Sequence, residues 1–252
     1  MAPLVSDGLT LEMVRDFLIG QEDTIIFCLL QRAKHPLNKN AYDKSFPAIP
    51  GRSGSFADIM IRDAESLYAK FGRYENPEEH PFFPECLPGS CVTGASFPKI
   101  FHPAAASINV NPAVWNAYFD QLLPLIAEPG DDGNYATTVA CDLACLQALS
   151  KRIHYGKYVA EVKFRNETDK YEPAIRSRDR EALMNLLTFK KVEEMVKRRV
   201  EKKAMTFGQE VTLDDSKERR KIDPGVVSRM YDEWVMPLTK EVEVEYLLLR
   251  LD

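Results

Sequence analysis

Residues 146–164 read LQALSKRIHYGKYVAEVKF, and the spacing within them decides the fold. Arg152, Gly156, Val159 and Lys163 recur at i, i+4, i+7 and i+11, one stripe of an α-helix. Eleven residues at about 3.6 per turn come to about three whole turns, so both cations point the same way, about 16 Å apart at their Cα atoms. Leu143, Leu146, Leu149 and Ile153 make most of the remaining circumference apolar, the pattern of a buried helix. An Arg and a Lys on an exposed helix would be a solvated face; on a buried one they need anions. Gly156 between them costs about 1 kcal/mol against Ala in a helix interior and lets something approach the backbone closely. The stretch predicts a buried central helix whose cationic stripe, with a gap in it, suits an anion.

Working outward, Thr10 can cap a helix running to about Lys34, with Leu11, Val14, Leu18, Ile25 and Leu29 as its apolar stripe, Glu12 and Asp16 in its first turn, and Arg15 off the stripe. A Pro/Gly/Ser-rich stretch over 35–55 leads to a helix over about 56–71. Seven prolines between 74 and 112 exclude a long helix there. So long a connection is either functional or pinned by its aromatics, among them Phe82, Phe83, Phe97 and Phe101. Asn111-Pro112 opens a helix through Leu125, and PGDDGNY at 129–135 is a turn before the central helix begins near Thr137.

Helices follow over about 177–187 and 189–207, the second stopped by Gly208, and then a charged loop over 211–222. The segment from Glu241 to Tyr246 alternates with the period of a strand. The leucines that follow without a turn signal, and Pro224 as a helix start with Pro237 as a kink, decide for helix. The expected fold is all-α: residues 1–252 as one multi-helix bundle whose helices enclose the site within one subunit.

With 45% hydrophobic residues the chain can bury a substantial core, and a net charge of −5 gives no electrostatic footprint for nucleic acid or an anionic membrane. Five cysteines without a CxxC pair, and four histidines outside metal-ligand spacing, predict free thiols in a reducing compartment and no structural zinc. The start of the chain lacks both an apolar signal core and a transit-peptide composition, and no apolar run reaches the roughly 18 residues of a membrane span. The cytosol is the expected location.

The central stretch, together with QEDTIIF at 21–27, GRYENPEEHPFFP at 72–84 and PLTKEVEVEYLLLRLD at 237–252, resembles the plant and fungal chorismate mutases. The likeness runs from about Leu9 to the C-terminus. It implies a pericyclic rearrangement of dianionic chorismate to prephenate, without nucleophile, metal or cofactor, so that positioning and electrostatics carry the catalysis. Position by position it assigns Arg15 and Arg152 to the two carboxylates, where planar forks suit bidentate recognition, and Lys163 to the ether oxygen. Glu243 faces that oxygen from the other side and helps only if protonated. Thr239, one turn earlier, orients Glu243 or binds a carboxylate, and Glu193 accepts from the ring hydroxyl. Apart from the resemblance, Thr239 reads as bonding back to its own turn and Glu193 as a solvated acid. Fungal relatives carry Asn four residues before this acid; here Phe189 stands there, so hydroxyl recognition falls to Glu193 with a backbone group or Asn185.

The resemblance also implies a homodimer, and an effector site for aromatic amino acids built partly from Gly72, Arg73, Asn134, Ala136 and Thr137. Regulated relatives have glycine where Ala136 stands, fungal ones have arginine at Gly72, and a fungal threonine that couples two states is Asp223 here. These departures predict a form insensitive to effectors. Two competing readings are a helical phosphopeptide-binding module and an inactive paralogue that only binds ligands or partners. Acids facing the ligand oppose the first, and six intact positions oppose the second.

Overall fold

A computed structural model of the chain describes residues 8–46, 50–92, 97, 99–209 and 220–252. Its helices, in order, are α1 (Leu11–Arg32), α2 (Phe56–Lys70), α3 (Asn111–Asn116), α4 (Leu123–Ile126), α5 (Tyr135–His154), α6 (Gly156–Asn166), α7 (Thr168–Arg176), α8 (Arg180–Leu187), α9 (Lys190–Phe207), α10 (Pro224–Met230) and α11 (Met236–Leu249). The described residues contain no β-strand, only one isolated bridge between Gln209 and Arg220, and the all-α expectation holds. No helix among them is long and apolar enough to cross a membrane. Most of the charged loop expected over 211–222 lies outside the described residues.

The local signals act as physical chemistry requires. Thr10 caps α1, its Oγ1 accepting from Met13 N at 3.2 Å, and Ser55 and Asp58 form a reciprocal capping box on α2. At the far end of α1, Arg32 is wholly buried. Its Nε donates to Asp142 Oδ1 at 2.6 Å, and its remaining donors reach the carbonyls of His35, Pro36 and Leu37. Tyr42 and Tyr118 hydroxyls also donate to Asp142, at 2.5 and 2.7 Å. Every partner needed to make a buried ion pair tolerable is thus present.

The central helix differs from the expectation in being two. At Tyr155 the ladder tightens: Tyr158 N and Val159 N both reach Tyr155 O, at 3.0 and 3.3 Å, and α5 gives way to α6. Backbone hydrogen bonding continues through the turn, so Arg152 and Lys163 still share a cavity. The helix expected over 177–187 begins later, at Arg180, where Asp179 caps it by accepting from Ala182 N at 2.9 Å. Arg178, in left-handed backbone at φ 53°, separates it from α7, an element the sequence reading passed over.

Pro124 and Pro237 each follow a π-helical segment, over Ala117–Leu122 and Tyr231–Val235. A proline inside a helix lacks an N–H and its ring collides with the carbonyl four residues back. A wider turn just before it relieves both, and the chain continues into α4 and α11.

The Pro-rich connection is held by buried polar side chains as much as by its aromatics. Glu65 accepts from Phe82 N and Phe83 N, Asn111 Nδ2 donates to Pro81 O, and His154 Nε2 accepts from Val110 N, all between 2.8 and 2.9 Å. Lys157, almost fully buried on α6, donates to Ala105 O, Ile108 O and His80 Nε2. α1 lies along α5, α11 along α6 and α10 along α9. These contacts leave a space between α1, the α5–α6 junction, α9 and α11.

Candidate active site

That space is a cavity of about 430 Å³, and Arg15, Arg152, Lys163, Glu193, Thr239 and Glu243 all line it. α1 presents Leu11, Arg15, Leu18 and Glu22 at i, i+4, i+7 and i+11, so the face carrying Arg15 is a stripe of its own beside the buried stripe of Val14, Ile25 and Leu29. α5 and α6 supply Arg152, Val159 and Lys163. α9 contributes Glu193 and α11 contributes Thr239 and Glu243, one turn apart.

Lys163 Nζ donates to Glu243 Oε2 at 3.1 Å, joining α6 to α11 across the cavity wall. Arg152 Nη1 donates to Thr239 Oγ1 at 3.3 Å, and that hydroxyl donates to Val235 O at 2.6 Å. Thr239 thus bonds back to its own turn, and the same hydroxyl accepts from Arg152. Arg152 Nε is buried without a partner among the described residues. Lys240 Nζ donates to Glu193 Oε1 at 3.0 Å, so this acid is not freely solvated. Arg15 is exposed on the cavity rim.

Burial pushes the Glu243 carboxyl above the ordinary carboxylate range, although Lys163, Arg152 and Lys240 all pull it down. Only 5% of the residue is exposed, so removing water from the charged form outweighs the neighbouring cations. The cavity thus combines fixed cations, which suit carboxylates, with a buried acid that favours its proton.

Gly156 carries a correction. The close approach it permits is made by α11, not by a ligand: a Cβ there would lie 2.7 Å from Thr239 O and 3.3 Å from Glu243 Cγ. The gap in the cationic stripe is where the helix bearing the acid sits. Phe189, set aside in the sequence reading, lines the cavity, whereas Asn185 is exposed on α8 and is not among its lining residues. Lys240, Tyr171 and the buried Glu22 with its bidentate partner Arg199 were also missed. Glu22 had a signal, lying seven residues from Arg15 on one helix face.

The five effector-region positions lie apart from the cavity. Gly72 adopts left-handed backbone at φ 78°, and Arg73 donates twice to Glu79 Oε2, at 3.1 and 3.0 Å. Asn134 N donates to Asp132 Oδ1 at 2.9 Å, and Ala136 and Thr137 are exposed in the first turn of α5.

Residues 134–244 match the family described as chorismate mutase type II. Chorismate mutase 2 of Arabidopsis thaliana is 57% identical, over 98% of this chain and 95% of its own. The Zea mays protein called chorismate mutase 2, cytosolic, is 54% identical over 98% of both. The crystal structure of AtCM1 with phenylalanine bound in its allosteric site superposes with a TM-score of 0.89 at 51% identity, covering 98% of each chain. The fold and these relatives together define an all-helical isomerase. The chain belongs to the chorismate mutase family.

Proposed function

We propose that this cavity rearranges chorismate to prephenate through the six residues named above, in support of phenylalanine and tyrosine synthesis. The observation that carries the reading is the meeting of Lys163 and Glu243 at 3.1 Å in a cavity that Arg15 and Arg152 also line. Arg15 and Arg152 hold the two carboxylates and fold the enolpyruvyl arm over the ring, which removes much of the entropy cost of reaching the reactive conformer. Lys163 donates to the ether oxygen as its bond to the ring breaks, and protonated Glu243 donates from the opposite side. Both contacts strengthen as negative charge grows on that oxygen, so they lower the barrier more than they tighten substrate binding. Thr239 keeps Arg152 and Glu243 in register, and Glu193, steadied by Lys240, accepts from the ring hydroxyl.

The test follows the loss of chorismate's diene absorbance with purified protein beside Lys163→Ala. Turnover in the first, reduced by about 10² to 10³ in the second, supports the reading. Turnover in neither favours a ligand-binding paralogue.

The same reading includes a homodimer in the cytosol that aromatic amino acids do not control. Three features support the last point: the methyl group of Ala136, the missing cation at Gly72, and the engagement of Arg73 by Glu79. AtCM1 holds phenylalanine in an allosteric site, so the fold is able to host such control. Inhibition by tyrosine or phenylalanine, or activation by tryptophan, at millimolar concentration or below would overturn the insensitivity, and a monomeric mass in solution the dimer.

A further inference from the structure

The aromatic ring at position 189 is not explained by the needs of the fold. Phe189 is the N-cap of α9, with φ −121°, ψ 85° and no side-chain cap bond. A Ser, Thr, Asp or Asn there would satisfy one of the helix's free N–H groups. The neighbouring hydroxyl, Thr188, donates instead to Met184 O at 2.7 Å. Nor does the ring belong to the core, since Phe189 is 46% exposed. It faces the cavity, with Lys163 Nζ 5.2 Å from its centroid.

This is the ammonium that donates to Glu243. It has three N–H donors; the carboxylate takes one, and the negative face of the ring attracts the charge from a second direction. Beyond Phe189 the α9 wall is apolar at Val192, Met195 and Val196, and the acid among them, Glu193, is engaged by Lys240. Resting on the reading of the site given above, we infer that Phe189 is a positioning residue, its ring holding Lys163 Nζ toward Glu243 and shielding it from water. The ammonium then meets developing charge without first reorganising. Capture of the dianion by Arg15 and Arg152 is left alone, so the ring acts on kcat more than on KM.

The experiment measures kcat, KM and thermal unfolding for the intact chain, Phe189→Leu and Phe189→Tyr, with chorismate as substrate. Leucine keeps apolar volume and removes the π face; kcat falls about three- to fivefold while KM stays within about twofold. Tyrosine restores the π face and recovers most of that loss. Melting temperatures of all three agree, because the position carries no cap bond and is half exposed. Unchanged kcat in Phe189→Leu, a change confined to KM, or a tyrosine variant as slow as leucine overturns the inference while the reaction itself stands. An intact chain without turnover overturns both together.

Discussion

Gly156 lies directly against Thr239: a Cβ on the glycine would stand 2.7 Å from the threonine carbonyl oxygen, and that oxygen belongs to backbone that cannot rotate away. In isolation Gly156→Ala would favour the helix by about 1 kcal/mol. Here the methyl group forces α6 and α11 apart and carries Thr239 and Glu243 with it. We expect a net destabilisation of about 1 to 3 kcal/mol in urea unfolding and at least a tenfold loss of kcat. A more stable variant of normal activity would refute the close packing.

The raised Glu243 carboxyl sets two pH dependences with one sign. The donating form is present below its folded pKa, so kcat is highest on the acidic side and falls as pH rises through that value. Because the folded pKa is above the unfolded one, the native state holds the extra proton in between. The corresponding stability is complete below the ordinary glutamate value and is lost as pH rises through the folded one. Glu243→Gln removes this slope from both measurements. Flat rate profiles in both proteins would show that no proton on Glu243 matters.

The two arginines should separate cleanly. Arg15 is exposed on the rim, so Arg15→Ala raises KM about 10- to 100-fold and leaves the melting temperature alone. Arg152 is 5% exposed and bonded to Thr239, so Arg152→Ala also lowers stability, by about 1 to 3 kcal/mol. Equal melting temperatures for the two variants would contradict this division.

Away from the cavity, Asp142→Ala strands the buried guanidinium of Arg32 and removes the acceptor of Tyr42 and Tyr118. A loss of about 3 to 5 kcal/mol in denaturant unfolding is expected. A change below about 1 kcal/mol would mean that Arg32 is satisfied by its three carbonyls and the Tyr42 hydroxyl, which also accepts from it.

Much of this was legible in the chain, for identifiable reasons. Thr10, Asn111-Pro112 and Pro224 mark helix starts through local chemistry that tertiary structure does not override. Arg152 and Lys163 are read together because helical spacing puts them on one face. Arg15, Glu193 and the pair Thr239 and Glu243 share no periodicity with that stripe or with one another, since they come from different helices; only the family resemblance joins them. α7 and the break at Arg178 were missed because left-handed backbone at an arginine has no composition cue. Lys240 was missed because it lies about 100° round the helix from Thr239, on a face where lysine reads as solvated.

The π segment over Tyr231–Val235 has a consequence for the angular phase of α11. Each residue turns an α-helix by about 100°, and the wide turn takes up residues that a regular helix would have spent rotating its downstream face. Deleting one residue from this segment would return the wide turn to a regular α turn and leave Thr239 and Glu243 near their present phase, on the α6 face where Gly156 makes room for them. Deleting Leu238 from the regular helix instead would swing both by about 100°. The wide turn therefore lets the chain carry an additional residue ahead of Pro237 without turning the acid away from the cavity, while the count between Pro237 and Glu243 fixes its aim.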